Sequence, residues 1–390
     1  MKNLNPYYRR AGKLLSGITM ILTLTVIHTG CQQKQQSQTA EGTATVSQEE
    51  WGQLPSGEAI IKYRLESTAG IAVEIMNYGG IITRLETPDK DGKIENIVLG
   101  FDRFEDYLQE VPFFGALIGR YGNRIGEGKF SLNGKDYQLT TNDHGNHLHG
   151  GFKGFDKVIW ETKATADQQN AILDLHYLSK DGQEGYPGNA NIHVRYILKG
   201  QQLAIQYEAT VDQPCPINLT NHAYFNLEGS GDILGHELTL YASHYTPVND
   251  LLIPTGEIAT VKETAFDFQQ AQAIGARIQD INGGYDHNYV LNGEAHNMKH
   301  AASLLAPNSR RLMHIYTEEP GIQFYSGNFL DGSLKNNQNI FHQYSGLCLE
   351  TQHFPDSPNH ENFPNTIVNP GETYRTQTIL EFGIDNNEIL

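Results

Sequence analysis

Cysteine is scarce in this chain, with three residues in 390, too few for a disulfide framework to hold the fold. Basic residues are also few: 28 Lys and Arg stand against 45 Asp and Glu, so the formal net charge is −17. A surface of that sign repels nucleic acid and anionic lipid. The sequence also contains no basic patch, P-loop or dinucleotide-binding fingerprint, which argues against nucleic-acid and nucleotide partners.

Long apolar runs are missing too. One apolar run, Leu14 to Ile27, could suggest a membrane span. It is shorter than the roughly 20 residues that a spanning helix needs. Basic residues precede it and Thr29-Gly30-Cys31 follows it, which is the layout of a secretory signal peptide. The end of this segment resembles the cleavage box of bacterial lipoproteins, in which the cysteine is lipidated, although His28 stands where leucine is usual. We therefore predict a signal peptide over residues 1–30 and an exported lipoprotein of the periplasm or cell envelope. A lipid on Cys31 would be its only membrane contact. A plain secreted protein or an uncleaved anchor is the alternative.

Residues 31–49 are predicted to form a flexible tether, because Gln, Ser, Thr and Gly dominate there and little apolar surface is available to drive folding. Residues 50–390 show no second linker and no obvious repeat, which predicts one large domain, expected to be a monomer. Cys215 and Cys348 could pair in an oxidising compartment, but two free buried thiols are the simpler interpretation.

Helical periodicity is limited to a turn or two around residues 269–274, whereas β patterns recur throughout. Short apolar or alternating runs are bounded by Gly, Asn, Asp and Pro, as in antiparallel sheets. The predicted strands are Ile60–Leu65, Ile71–Met76, Ile81–Leu85, Ala171–Leu178, Ile192–Leu198, Leu203–Val211 and Leu238–Tyr241. Asn133-Gly134 predicts a hairpin, since both turn positions need positive φ, and Lys199-Gly200 predicts another. The fold class is therefore all-β: a large, many-stranded antiparallel β-sandwich.

His222 lies in a segment, residues 218–227, where apolar residues alternate with amides and aromatics. An ionisable ring among neutral hydrogen-bonding and stacking groups suits a pocket for a neutral polyol better than one for a phosphate or a peptide. A lone histidine on a strand is more often structural than catalytic, so the interpretation needs a partner carboxylate. Glu350, on an alternating strand with a thiol and an amide on its own face, is the candidate. It either faces solvent or serves as a buried base.

Other polar residues stand beside glycines and aromatic rings. Asp286 and Gln323 each admit a turn or surface role as well as a role in accepting or donating hydrogen bonds to sugar hydroxyls. Asn123 and Arg124 could clamp ring or hydroxyl oxygens. The segment 144–149 contains three histidines that a zinc site could use, but we favour a sugar-binding or turn role for them and predict no metal ligand.

Six motifs, in order along the chain, resemble the aldose 1-epimerase (galactose mutarotase) family. They span about residues 56–384. The motifs are Gly119 to Ile125, Leu148-His149-Gly150-Gly151 with Gly154 to Trp160, the His222 segment, Tyr285-Asp286-His287-Asn288, Gly321 to Tyr325, and Leu349-Glu350-Thr351-Gln352. The leader and tether depart from the family pattern.

The resemblance implies a galactose mutarotase-like supersandwich and an isomerase that interconverts the α and β anomers of free hexoses. It further implies that no cofactor is required; whether the acidic surface holds a calcium ion is left open. In this numbering Glu350 matches the general base and His222 the general acid. Asn123, Arg124, His149, Asp286 and Gln323 match substrate-binding positions.

Overall fold

The computed structural model describes residues 42–386. The predicted signal peptide, Cys31 and the first part of the predicted tether lie outside the described residues. The remainder of the tether prediction needs a correction, because a strand begins at Thr45 and pairs with the next strand, Val46 lying opposite Leu65. Residues 45–49 are ordered because the neighbouring strand offers a free edge and Val46 packs against the core. Local composition does not reveal that partner.

Strands dominate the described residues, and we number them in chain order. They are β1 (Thr45–Gln53), β2 (Ala59–Glu66), β3 (Ala72–Met76), β4 (Ile82–Pro88), β5 (Ile94–Asn96), β6 (Leu117–Ile118), β7 (Arg124–Ile125), β8 (Lys129–Leu132), β9 (Lys135–Gln138), β10 (His147–Leu148), β11 (Glu161–Ala166), β12 (Asn170–Ser179), β13 (Ala190–Lys199), β14 (Gln202–Val211), β15 (Cys215–Pro216), β16 (Thr220–Asn221), β17 (Tyr224–Phe225), β18 (Glu237–Leu240), β19 (Ala242–Tyr245), β20 (Ala259–Thr260), β21 (Gln272–Ala273), β22 (Asp286–Leu291), β23 (Lys299–Leu305), β24 (Arg311–Thr317), β25 (Gly321–Tyr325), β26 (Leu347–Gln352), β27 (Ile367–Val368) and β28 (Thr373–Ile384).

Three large sheets contain most of these strands. Their strand orders are β1-β2-β3-β4-β5, β11-β12-β13-β14-β28-β24-β23-β18-β21, and β17-β26-β25-β22-β19-β20. The strand pairs within them are antiparallel. Two-stranded ladders, β7 with β10, β6 with β16, β15 with β27 and β8 with β9, tie the loops together. The predicted all-β antiparallel fold is confirmed.

Helical structure within residues 42–386 is confined to short 3-10 segments. They are Phe104–Leu108, Gly126–Gly128, Phe155–Lys157, Gln183–Gly185, Ile274–Ala276, Ile278–Asp280 and Ser357–Asn359. In this part of the chain no helix has the length and apolar character needed to cross a membrane. The expected helical turns around residues 269–274 are largely wrong, because Gln272 pairs with Leu238 at the sheet edge, a contact that local periodicity cannot show.

The seven predicted strands coincide with β2, β3, β4, β12, β13, β14 and β18, with ends that differ by at most three residues. The predicted hairpin joins β8 to β9, and Asn133 and Gly134 have φ of 54° and 74°. Gly200, also at positive φ, turns the chain between β13 and β14. Turn chemistry is local, so the sequence alone could predict it.

The core lies against the inner faces of the large sheets. On β13 buried and partly exposed residues alternate, as expected of a strand with one inner face. Every residue of β26 is buried: Leu347 and Leu349 belong to the main core, while Cys348 and Glu350 face the other way. A strand that is buried on both faces holds a carboxylate in a fixed, dry position.

Candidate active site

Polar side chains from three adjacent strands share one face of the six-stranded sheet. Glu350 on β26 lies directly opposite Gln323 on β25, which lies opposite Asn288 on β22. Asp286, two residues before Asn288, points to the same face. Gln323 Nε2 donates a hydrogen bond of 2.6 Å to Asp286 Oδ1. The sheet register therefore builds this side of the site.

His222 reaches the same place from the loop between β16 and β17. Tyr224 on β17 lies opposite Cys348 on β26, which sets His222 beside Glu350. Its Nε2 is 3.6 Å from Glu350 Oε1, and the two residues are only 4% and 2% exposed. Two groups that are distant in sequence thus share one desolvated pocket.

The short β7–β10 ladder supplies Arg124, and the residues that flank its strands supply Asn123 and His149. Asn123 and His149 both have positive φ, and they exchange two hydrogen bonds: His149 N–H donates to the Asn123 carbonyl, and Asn123 N–H donates to His149 Nδ1, each at 3.1 Å. Because Nδ1 accepts a hydrogen bond, the neutral imidazole carries its proton on Nε2. His149 therefore presents a donor to the site.

Arg124 joins this ladder to the sheet. Its Nε donates to Asp143 Oδ2 at 2.8 Å, and its Nη1 lies 3.9 Å from Asp286 Oδ2. The His149 ring centroid is 5.0 Å from that of His222. The seven residues predicted from the sequence are therefore linked, contact by contact, into one ring around a common site.

Three neighbours of this ring were not identified from the sequence. Phe113 packs against both histidines, with ring centroids 4.6 Å from His149 and 5.7 Å from His222. Asp143 orients Arg124, and Asn288 lies beside Gln323. Phe113 has a positive φ of 59°. No sequence pattern predicts a positive φ in a phenylalanine, so only the structure could show that Phe113 lies at the site.

Burial controls the electrostatics of the acid–base pair. It raises the pKa of Glu350 well above the ordinary value, and the charge of Asp286 adds to this effect while Arg124 opposes it. Burial also lowers the pKa of His222 to about 4. Burial thus favours the neutral form of each group.

Several buried polar atoms on this face lack a hydrogen-bond partner within residues 42–386. They are Glu350 Oε2, Gln323 Oε1, Asn288 Oδ1 and both amide atoms of Gln352. Buried polar atoms in native proteins nearly always have partners. Their concentration here favours a ligand with many hydroxyl groups that completes their hydrogen bonds.

A metal site is a poor fit. Ligand atoms of His149, His222 and Glu350 lie within 4.8 Å of one another, a spacing that zinc could use. The proton on His149 Nε2, however, leaves that nitrogen without a lone pair. His147 is no alternative, because its two ring nitrogens contact Thr140 O at 2.7 Å and Tyr186 Oη at 2.8 Å.

Comparisons with known proteins agree with this geometry. The aldose 1-epimerase family profile matches residues 62–381. Galactose mutarotase from Mus musculus is 44% identical over 345 residues, covering 87% of this chain and 99% of that protein. Aldose 1-epimerase from Escherichia coli strain K12 is 36% identical over 337 residues, covering 84% and 96%. The crystal structure of galactose 1-epimerase from Lactobacillus acidophilus NCFM superposes with a TM-score of 0.78 at 29% identity, covering 88% of this chain and 99% of that one.

Proposed function

This chain belongs to the aldose 1-epimerase family and interconverts the α and β anomers of free hexoses, and we propose that Glu350 and His222 carry its two proton transfers. The observation that supports this assignment is the 3.6 Å separation of His222 Nε2 and Glu350 Oε1 in a buried pocket. Enzymes of this family require no cofactor. The chemistry therefore falls to side chains.

Anomer exchange needs two coordinated proton movements. Glu350 takes the proton from the C1 hydroxyl while His222 delivers one to the ring oxygen, so the C1–O5 bond breaks and an open aldehyde forms. Rotation about C1–C2 presents the other carbonyl face, and the two protons return as the ring closes. Each positioned transfer contributes on the order of 10²–10⁴ in rate.

The shared proton fits both halves of this cycle. Glutamic acid with neutral histidine, the form of the pair that burial favours, is the state that follows ring opening. Carboxylate with imidazolium is the state that precedes it, and the two differ only in where one proton resides. A bound sugar donates O1–H to Glu350 and accepts at O5 from His222, which stabilises the charged arrangement.

The remaining residues position the sugar. His149 donates through Nε2–H, and Arg124, held by Asp143 and Asp286, presents guanidinium donors. Asp286 accepts hydroxyl protons, while Asn123 and Gln323 hold His149 and Asp286 in place. Because Arg124 is engaged by two carboxylates, it is a poor phosphate ligand, which favours free sugars over sugar phosphates.

Glu350→Gln tests the assignment of the base. The amide cannot take the C1 proton, so fresh α-glucose or α-galactose should lose its catalysed decay of optical rotation in polarimetry, by about 10²-fold or more. Glu161→Gln, an exposed change on β11, is the matched control and should behave as the parent. A near-parental rate in Glu350→Gln would exclude Glu350 as the base.

We further propose that the enzyme acts outside the cytoplasm, as a monomer attached to the cell envelope by a lipid on Cys31. The basic start, short apolar core and Thr-Gly-Cys end of the leader support this location. The site residues are all contributed by residues 123–350 of one chain, which is compatible with activity as a monomer. Light scattering on the purified protein tests the oligomeric state.

A further inference from the structure

A cavity of about 710 Å³ lies apart from the acid–base site. Its walls come from the loop after β15, the segment between β24 and β25, the residue after β26, β27 and the start of β28. The seven site residues are not among those that line it. On β26 successive side chains alternate, so Glu350 faces the active site and His353, just beyond the strand, lines the cavity.

A buried charge network forms one wall. Glu319 and His353 are 2% and 8% exposed, with His353 Nδ1 at 2.6 Å from Glu319 Oε2, and Tyr374 Oη donating to Glu319 Oε1 at 3.0 Å. Burial disfavours both charges, but Glu319 still holds the pKa of His353 above its usual value, and His353 holds that of Glu319 below it. Glu319 is thus a carboxylate that accepts the hydrogen bond from His353 Nδ1–H.

The second ring nitrogen of His353 is available for a hydrogen bond. Nδ1–H donates to Glu319, and Nε2 has no hydrogen-bond partner among the described residues, while the His353 side chain keeps 10% of its surface accessible. Since His353 lines the cavity, that nitrogen is available to a bound molecule. A few well-placed polar groups that point into a concave pocket are a feature of small-molecule binding sites.

The rest of the lining selects the class of ligand. Glu318, Glu319 and Glu372 contribute carboxylates, and Arg375 is largely exposed and paired with Glu208 at 3.0 Å. This acidic lining disfavours an anionic ligand, because the Arg375 guanidinium is already paired with a carboxylate. Neutral hydrogen-bonding groups (Asn365, Thr366, Thr373) alternate with apolar walls (Ile217, Pro320, Val368). Such a mixture suits a molecule with hydroxyl edges and aliphatic faces.

We propose that this cavity is a second binding site, for a neutral hydroxylated ligand of about disaccharide size. The volume lies within the range of roughly 300–1,000 Å³ typical of small-molecule pockets. The ligand's hydroxyls form hydrogen bonds with His353 Nε2, Asn365 and the threonines. This site is independent of the proton transfers at Glu350.

Trehalose is the probe for this site, because a non-reducing disaccharide has no free anomeric hydroxyl and cannot be a substrate for anomer exchange. Isothermal titration of the full chain should detect binding, and Glu350→Gln should bind trehalose as the parent does. Ala295→Trp places a large ring at the cavity wall from an exposed loop position, and should weaken binding about tenfold or more, a change of about 1.4 kcal/mol.

Ala166→Trp, an exposed position at the end of β11, is the matched control and should leave binding unchanged. As a second measurement, trehalose should shift the side-chain ¹⁵N resonance of His353 in the parent protein. Absence of trehalose binding, unaltered affinity in Ala295→Trp, or an unmoved His353 resonance at saturation would each overturn the proposal. Stronger binding of an anionic sugar such as glucuronate would contradict the ligand class.

Discussion

The acid and base occupy environments that push their pKa values in opposite directions. The pKa of buried Glu350 is raised and that of buried His222 is lowered, and the pair is active when it holds a single proton between the two groups. Loss of that proton at high pH removes the acid, and gain of a second at low pH removes the base. We therefore expect a bell-shaped dependence of kcat/KM on pH whose acid limb lies near pH 4.

Asp286→Asn tests how the upper limit of that profile is set. The negative charge of Asp286 raises the pKa of Glu350, so its removal lowers that pKa and the pair loses its proton at a lower pH. The basic limb of kcat/KM should move toward lower pH, measured by polarimetry across the pH range. A basic limb that stays in place, even with a raised KM, would contradict this electrostatic role.

At the scale of elements, the turn after β10 holds His149 in position. Gly150 has φ of +87°, and a Cβ built on it would lie 1.8 Å from the Gly119 carbonyl oxygen. No side-chain rearrangement relieves a contact with backbone. The close approach of the β7–β10 ladder to the loop around Gly119 therefore requires a glycine at position 150.

Gly150→Ala should consequently destabilise the protein and reduce activity, by more than the roughly 1–2 kcal/mol that left-handed strain costs alone. Gly134→Ala is the matched control, because its φ is +74° but nothing lies within 4 Å of the added Cβ. Urea unfolding and polarimetry on both variants separate the two effects. Equal losses in the two proteins would mean that the close approach at Gly150 is unimportant.

At the scale of the whole molecule, the proposed lipid anchor on Cys31 can be tested separately from the catalytic chemistry. The acid–base site lies entirely within residues 42–386, so we expect catalysis to be independent of attachment to a membrane. Cys31→Ser in the full chain should abolish incorporation of radiolabelled palmitate and leave the specific activity of the purified protein unchanged. A parent protein that takes up no label would rule out the lipid anchor.

Sequence by itself determined the fold class, because alternation of apolar and polar residues and the Asn133-Gly134 turn are local properties. It also identified Glu350, His222 and five further residues, through ordered motifs that resemble one family. It failed at β21 and at residues 45–49, where pairing with a distant strand edge outweighs local preference.

Only the tertiary structure decided how those residues act together. The pairing of β17 with β26 sets the distance between His222 and Glu350, and the backbone of Asn123 selects the tautomer of His149. Burial then raises the pKa of Glu350 and lowers that of His222. Distances, solvent exclusion and hydrogen-bond partners arise from contacts between segments far apart in the chain, so no local pattern encodes them.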